Sequence, residues 1–167
     1  MEVPEIANGL ISIKSIVREA GYRTKMAVYC EDKNIDAVGA CVGNRAMRVN
    51  TILAELGGEK IDIIPWDPDI LEFIARALSP AKVVMVQVND EARSAKVIVM
   101  DDMLSLAIGK DGQNARLAAK LTGWKIDVKP YSSLVATQNE EVEEVVEEEV
   151  AQPDFDNVFD EDLGDLE

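Results

Sequence analysis

An internal repeat with a period of about 65 residues constrains the fold of this chain more than any other feature of its sequence. Residues 60–66 (KIDIIPW) align with residues 125–131 (KIDVKPY), and residues 42–46 (VGNRA) align with residues 108–112 (IGKDG). A repeat of this length is one supersecondary unit present in two copies. Both copies contain a short G-x-x-[GA] turn, so this turn is the first place to look for a shared function.

A β-hairpin is predicted ahead of each turn. In the first copy, residues 10–17 and 25–30 have the alternation and β-branched content of strands, with a hairpin loop over residues 18–24. In the second copy, residues 82–88 and 96–100 predict the same hairpin.

A short helix, the glycine turn, a longer helix and a closing strand follow each hairpin. Asp36 is the predicted N-cap of a helix over residues 37–42, and Asp101 or Asp102 that of a helix over residues 103–108. Glycines are predicted to end the longer helices, and the closing strands end at prolines. The longer helices carry apolar stripes, formed by Val49, Ile52, Leu53 and Leu56 in the first copy and by Ala115, Leu117, Ala118, Ala119 and Leu121 in the second.

The second copy opens with a predicted helix over residues 68–78, whereas the first copy has only residues 3–8 for it, which suggests a truncated N-terminus. Each copy thus runs helix, hairpin, helix, turn, helix, strand. This order predicts an α+β, two-layer fold in which each three-stranded sheet packs on helices. We predict a first domain at residues 1–67, a second at residues 68–134 and a disordered acidic tail at residues 135–167.

The negative charge of the chain is concentrated in this tail. The net charge is −15, yet residues 137–167 hold 14 of the 32 acidic residues and none of the 17 basic ones. The preceding part therefore has a net charge of only −1, which permits a polyanionic partner. The charge density of the tail predicts disorder when it is free.

The composition excludes several classes of function. Histidine is absent, which excludes histidine-based catalysis and histidine-ligated metals. Cys30 and Cys41 form no C-x-x-C motif and fit a reducing compartment. Because no stretch approaches ~20 apolar residues and no signal peptide is evident, we expect a cytoplasmic protein without a membrane partner. The sequence also has no nucleotide-binding loop and no clustered nucleophile and base, so we expect a non-enzymatic protein that uses no cofactor or metal.

The glycine turn suits phosphate chemistry. Such a turn brings bare backbone close to a ligand, and the helix after it contributes free N–H groups and a partial positive charge. Here the turn follows a hairpin, precedes a strand and occurs twice. This context resembles the KH module, whose G-x-x-G loop clamps a short single-stranded nucleic-acid backbone.

Four segments also resemble the tandem KH region of the NusA family of bacterial transcription elongation, termination and antitermination factors. They are residues 13–25, 37–43, 108–118 and 121–127, within a resemblance that covers roughly residues 3–131. The resemblance implies two KH domains of the prokaryotic (type II) topology, packed rigidly into one continuous surface for single-stranded nascent RNA.

The same resemblance implies RNA polymerase and other transcription factors as partners. Family members carry a polymerase-binding N-terminal domain and an S1 domain upstream, so we expect this chain to be a C-terminal piece or an unusually short relative. Two alternatives stay open. One is a generic KH protein of RNA processing or of the ribosome, and the other is a protein-interaction module with weakened RNA binding.

The candidate RNA-binding residues lie in the two turns and just after them. Phosphate contacts are predicted for the four cationic side chains, with ordinary solvated charge as the alternative. These are Arg45, Arg48, Lys110 and Arg116. Asn44, Gln113 and Asn114 are expected either to hydrogen-bond RNA or to cap the helices. The full set is Gly43, Asn44, Arg45, Ala46, Arg48, Gly109, Lys110, Asp111, Gly112, Gln113, Asn114 and Arg116.

Two of these residues depart from the family pattern. Ala46 stands where glycine is usual and disfavours a positive φ. Asp111 places an anion beside the predicted phosphate site, at a cost of about 1 kcal/mol that salt reduces. We therefore expect weak binding by each domain, and useful affinity only when both hold one strand.

For the remaining candidates, a structural role is an alternative to RNA contact. Trp66 and Trp124 could stack bases, but packing at a strand end is the expectation. Val42 and Ile108 are expected in the core or on an apolar floor beneath the bases, and Cys41 in the core. The hairpin cations are expected to be plain strand-face charge, with RNA contact as the alternative: Lys14, Arg18, Arg23, Lys25, Arg93 and Lys96.

The tail carries an apolar stripe of its own. Phe155, Phe159, Leu163 and Leu166 would share one face of an induced helix. Three hypotheses follow: a docking peptide for a basic protein surface, a segment that folds back onto its own KH domains, or a solubilising tail without a partner.

Overall fold

The computed structural model describes residues 2–136, and the described residues as far as Ser132 form one compact unit. Both repeats show the predicted order of elements. The first contains α1 (Pro4–Ala7), β1 (Ser12–Glu19), β2 (Arg23–Tyr29), α2 (Ala37–Val42), α3 (Met47–Glu55) and β3 (Lys60–Pro65). The second contains α4 (Ile70–Ala77), β4 (Val83–Asn89), β5 (Ser94–Val99), α5 (Leu104–Ile108), α6 (Gln113–Thr122) and β6 (Lys125–Pro130).

Each repeat builds a three-stranded sheet with the same topology. Sheet 1 has the order β1-β2-β3 and sheet 2 the order β4-β5-β6. The hairpin strands are antiparallel, and the last strand joins parallel to the second, with Arg23 opposite Lys60 and Ser94 opposite Lys125. A parallel neighbour needs a crossover, which the two helices and the turn between them provide. The predicted fold class is confirmed.

The two repeats share one hydrophobic core. Ala27 and Ile64 of sheet 1 belong to the same buried cluster as Phe73 and Ile74 of α4 and Leu121 of α6. Helix α6 contacts β1 and β2 of sheet 1 as well as β6 of its own sheet. Burial of each large apolar side chain is worth roughly 1.5–3 kcal/mol, so parting the repeats would be costly. The boundary at residue 67 crosses this core and stays a prediction.

The helical layer of the first repeat is thinner than that of the second. Helix α1 has 4 residues and buries none, whereas α4 has 8 residues and buries three apolar side chains. Helix α3 buries none of its residues either. Its apolar stripe, including Val49, Ile52 and Leu56, borders a cavity of about 270 Å³ against sheet 1.

One of the two predicted helix caps is correct. The Asp36 carboxylate accepts a hydrogen bond from the Gly39 N–H at 2.9 Å and so caps α2. Neither Asp101 nor Asp102 caps α5, which begins one 3₁₀ turn later. The Asp101 carboxylate instead accepts a hydrogen bond from the Ser132 N–H at 3.0 Å, because the chain leaving β6 passes beside this loop.

Lys25 is a buried residue of the junction between the repeats, so the prediction of strand-face charge is wrong for it. Its side chain is 0% exposed, and Nζ donates to Asp62 Oδ2 at 2.9 Å and to the Ser79 carbonyl at 2.8 Å. Arg23 donates to both oxygens of Asp62, at 2.7 and 3.0 Å. Burial lowers the pKa of Lys25, and the Asp62 charge only partly offsets this. The connection from α4 to β4, which carries Ser79, covers this part of the sheet.

Glu59 ties the end of the α3 segment to the first hairpin. Its side chain is 0% exposed. It accepts hydrogen bonds from Arg18 at 2.8 and 2.9 Å, from the Thr24 hydroxyl at 2.6 Å and from the Gly21 N–H at 2.9 Å. These bonds, from Arg18 first, lower the pKa of Glu59 from 4.5 to about 2. The folded state therefore holds Glu59 as a carboxylate.

Acidification is expected to destabilise the fold through Glu59. The pKa of Glu59 is lower in the folded than in the unfolded chain. Its contribution to folding stability is therefore complete at pH values above the unfolded pKa of 4.5 and is lost as the pH falls towards about 2. Glu59→Gln should lower the urea midpoint at pH 7. It should also make the urea midpoint change less with pH between about 4.5 and 2. Glu91→Gln, in the exposed β4–β5 loop, should change neither. Identical pH profiles for wild type and Glu59→Gln would contradict this assignment.

Among residues 2–136, no helix is long and apolar enough to cross a membrane, and no group of three or more acidic or cysteine side chains could hold a metal. The acidic tail is predicted at residues 135–167, and residues 137–167 of it, which carry the proposed docking face, lie outside the described residues, so its disorder stays a prediction.

Candidate nucleic-acid interface

The two glycine turns have the same backbone conformation. The first position has φ 78° in Gly43 and 77° in Gly109, and the third has φ 52° and 54°. The fourth position is left-handed in both, with φ 60° in Ala46 and 72° in Gly112. In each turn the fourth N–H donates to the first carbonyl, at 3.0 and 3.2 Å. The loss of one glycine has therefore not changed the shape of the first turn.

The surroundings of the second turn explain why its first position needs glycine and its fourth does not. A Cβ on Gly109 would lie 2.8 Å from both the backbone nitrogen and the Cβ of Asn114, a clash with backbone that cannot move aside. A Cβ on Gly112 would meet nothing within 4 Å. The methyl of Ala46 occupies the equivalent of that open position. Its left-handed conformation costs roughly 1–2 kcal/mol but needs no rearrangement.

The tips of both turns are exposed. Asn44 and Arg45 lie at the first tip, and Lys110 and Asp111 at the second. Arg45 and Lys110 form no ion pair with any residue in the described part of the chain. Both cations are therefore available to a phosphate. Asp111 and Lys110 line the same cleft, and the effect of the Asp111 anion on phosphate binding stays a prediction.

Arg48 braces the first turn instead of extending into solvent. Its Nη1 donates to the Ala40 carbonyl at 2.6 Å and to Glu5 Oε2 at 2.9 Å. These contacts hold the start of α3 against α2 and α1. Its place among the RNA-binding residues stays a prediction that would require these bonds to open.

Asn114, the equivalent residue in the second repeat, is 1% exposed. Its Nδ2 donates to the carbonyls of Leu78 and Ala107, both at 3.0 Å, and more weakly to that of Leu106 at 3.4 Å. The buried amide thus holds α6 to α5 and to the end of α4. Of the two interpretations of Asn114, these contacts favour capping over a hydrogen bond to RNA.

Gln113 and Arg116 connect the second turn to the first repeat. Gln113 Nε2 donates to Glu19 Oε2 at 2.8 Å, and Arg116 donates to Glu19 Oε1 at 2.8 Å. The bonds from Gln113 and then Arg116 lower the pKa of Glu19. Arg116 also donates to the Asp111 carbonyl at 3.0 Å. Both side chains therefore position the turn against the first repeat.

A cleft of about 240 Å³ lies between the tip of the first hairpin and the second turn. Four of its residues belong to the predicted set, whereas Glu19 and Tyr22 do not. No local pattern marks these two, because they belong to the other repeat and only tertiary packing brings them here. The lining residues are Glu19, Tyr22, Lys110, Asp111, Gln113 and Arg116.

The tryptophans pack as expected. Trp124 is 8% exposed and lies in the shared core. Trp66 is half-buried, and its ring packs edge-on to the Tyr29 ring, with 5.2 Å between the ring centroids. Cys41 is buried in the smaller core of the first repeat, also as expected. The apolar residues before the turns differ, since Val42 is half-buried and Ile108 is 37% exposed.

Family models match both repeats. Residues 1–66 match a NusA-like first KH domain, and residues 70–135 match a NusA-like second KH domain. The chain belongs to the NusA-like KH-domain family. The resemblance noted in the sequence is confirmed, and the two turns described above are the G-x-x-[GA] turns of this domain pair.

Several relatives are named transcription termination/antitermination protein NusA. The relative in Halalkalibacterium halodurans is 60% identical over 132 residues, covering 79% of this chain and 35% of that protein. The one in Bacillus subtilis is 59% identical and covers 77% of this chain and 35% of that protein. The one in Thermus thermophilus is 45% identical and covers 98% of this chain and 43% of that protein. The chain thus spans well under half the length of these relatives.

A solved structure titled "Crystal structure of APE1850" has the same fold. It superposes with a TM-score of 0.54 at 20% sequence identity, covering 77% of this chain and 95% of that one.

Proposed function

We propose that the chain binds single-stranded nascent RNA through its two KH domains, in the control of bacterial transcription elongation, termination and antitermination. The matched pair of turns is the observation that carries this proposal. Each turn combines left-handed backbone with an exposed cation at its tip, Arg45 or Lys110, that has no ion-pair partner among residues 2–136. Backbone N–H groups at the start of the following helix add to the attraction for phosphate.

RNA polymerase and other transcription factors belong to this proposal as partners, since the relatives are named for termination and antitermination. The role is one of binding rather than enzymatic turnover, and it would be exercised in the cytoplasm. Both turns would hold one strand, so two weak contacts would combine through effective concentration. The shared core supports this, because it gives the turns a constant separation.

The alternative of a protein-interaction module with decayed RNA binding depended on Ala46, Asp111 and the acidic tail. The conformation of Ala46 removes part of that argument, since the first turn keeps the shape of the second.

A generic role in RNA processing or on the ribosome would be separated from the proposed one by co-purification. RNA polymerase rather than ribosomes should accompany the chain.

The test is binding of the full chain to a fluorescent single-stranded oligoribonucleotide at several salt concentrations. Arg45→Glu and Lys110→Glu should each weaken binding roughly fivefold or more at low salt. Each should also reduce the slope of log K against log salt by about 1, because one phosphate contact is lost. Lys82→Glu, an exposed charge reversal outside both turns, is the matched control and should leave the slope unchanged.

Two results would overturn the proposal. One is failure of the wild-type chain to bind the oligonucleotide at low salt. The other is equal binding by wild type and both turn variants. The thermal midpoints of these variants should match that of wild type, because both side chains are exposed and form no ion pair among the described residues.

A further inference from the structure

The cleft between the first hairpin and the second turn combines an exposed aromatic ring with an exposed cation. Tyr22 is 71% exposed, the highest value among the large hydrophobic side chains of the described residues. Lys110 lines the opposite side of the same cleft. Most exposed apolar side chains need no explanation. The Tyr22 ring does need an explanation, because it lies beside the second glycine turn and beside a cation that has no ion-pair partner in the described part of the chain.

The backbone of Tyr22 is held firmly although its ring is free. Its N–H donates to the Glu19 carbonyl at 3.0 Å, and its own carbonyl accepts from the Lys60 N–H at 3.1 Å. The neighbouring Gly21 N–H donates to the Glu59 carboxylate at 2.9 Å. The backbone therefore fixes the position of Tyr22 beside the second turn, and a ligand that covers the ring would have to order only its side-chain rotamers.

The charges of the cleft favour an anion on the side of the second turn. The Glu19 carboxylate is occupied by Gln113 and Arg116, so its charge is balanced within the wall of the cleft. Lys110 has no such partner among the described residues. The Asp111 carboxylate at the rim reduces the attraction for an anion without cancelling the backbone donors of the turn.

We infer that this cleft holds one nucleotide of the RNA, its phosphate at the second turn beside Lys110 and its base stacked on the Tyr22 ring. The inference rests on the proposed function and extends it, because the first repeat then completes the RNA site of the second. Glu19, Gln113 and Arg116 act as positioning residues that hold the ring beside the turn.

Stacking on a tyrosine is tolerant of base identity, since every base has a π-face. A protein side chain could also cover the ring, but it would leave the cation and the backbone donors of the turn unused. A nucleotide uses all three features at once. This is why the cleft is assigned to RNA rather than to a protein partner.

The test compares Tyr22→Ala and Tyr22→Phe in the full chain, using the fluorescent single-stranded oligoribonucleotide described above. Tyr22→Ala should weaken binding about fivefold or more, whereas Tyr22→Phe keeps the aromatic face and should stay within about twofold of wild type. Tyr131→Ala removes another exposed tyrosine, outside the cleft, and should also stay within about twofold. The salt slope of Tyr22→Ala should equal that of wild type, because the ring releases no counterions.

The outcomes separate this inference from the proposed function. If wild type binds RNA and Tyr22→Ala binds equally well, the stacking assignment is wrong and the proposed function stands. If Tyr22→Phe loses as much RNA affinity as Tyr22→Ala, stacking is again excluded. If wild type does not bind at low salt, the proposed function fails and this inference with it.

A second measurement uses the wild-type chain alone and is independent of how the variants fold. RNA carrying a single 4-thiouridine should crosslink on irradiation to the peptide that contains Tyr22. Crosslinks confined to other peptides would overturn the inference.

Discussion

The Asp62→Ala variant is expected to lose roughly 3–5 kcal/mol of folding free energy, because it leaves a buried lysine without its counter-ion. The Lys25 side chain is 0% exposed, and without Asp62 its ammonium group would keep only the Ser79 carbonyl, at 2.8 Å. Arg23 would lose both of its hydrogen bonds to the same carboxylate. Urea denaturation of the full chain at pH 7, followed by circular dichroism, measures the loss.

The repeat supplies a matched control for this variant. Asp127 occupies the equivalent position in β6, opposite Lys96, but its side chain is 65% exposed and its ion pair with Lys129 is long, at 3.4 Å. Asp127→Ala should therefore change stability by no more than about 0.5 kcal/mol. Equal losses in the two variants would contradict the view that burial, rather than the ion pair itself, sets the cost.

The Asn114→Ala variant is expected to lose roughly 2–4 kcal/mol, since it removes the donor shared by several buried carbonyls. The carbonyls of Leu78 and Ala107 each accept from Asn114 Nδ2 at 3.0 Å. Alanine would leave the Ala107 carbonyl without this donor and the Leu78 carbonyl with only the Ala81 N–H, at 3.1 Å, and would also leave a small cavity. The same denaturation experiment measures this loss.

Asn50→Ala is the control for this second variant. Asn50 is exposed on α3, where alanine is the better helix former, so the stability should stay the same or rise by a few tenths of a kcal/mol. A loss below about 1 kcal/mol in Asn114→Ala would show that the buried amide does not support the second turn as described.

The regular elements were predictable from the sequence because their patterns are local. Alternation marked β1, which was predicted at residues 10–17 and spans Ser12–Glu19. The glycine turns are visible in both copies of the sequence, and their dihedral angles agree although Ala46 replaces a glycine in the first. Steric limits on φ act within a residue or two, so a short window of sequence carries them.

The roles of the side chains around the turns were not predictable in this way. Arg48, Asn114 and Arg116 share a sequence context with Arg45 and Lys110, yet their contacts lie with distant residues such as Glu5, Leu78 and Glu19. Each partner comes from an element that sequence spacing does not relate to the turn. Whether the whole set binds RNA stays a prediction.

The sequence alone determined the duplication, the order of elements in each copy, the fold class and the two glycine turns, because periodicity and glycine positions are local quantities. Only the tertiary structure decided that Lys25 is buried at the junction and that the Glu19 and Tyr22 segment lies against the second turn. The reason is that burial and partner choice depend on which surfaces meet, and the two repeats meet through a core to which both contribute.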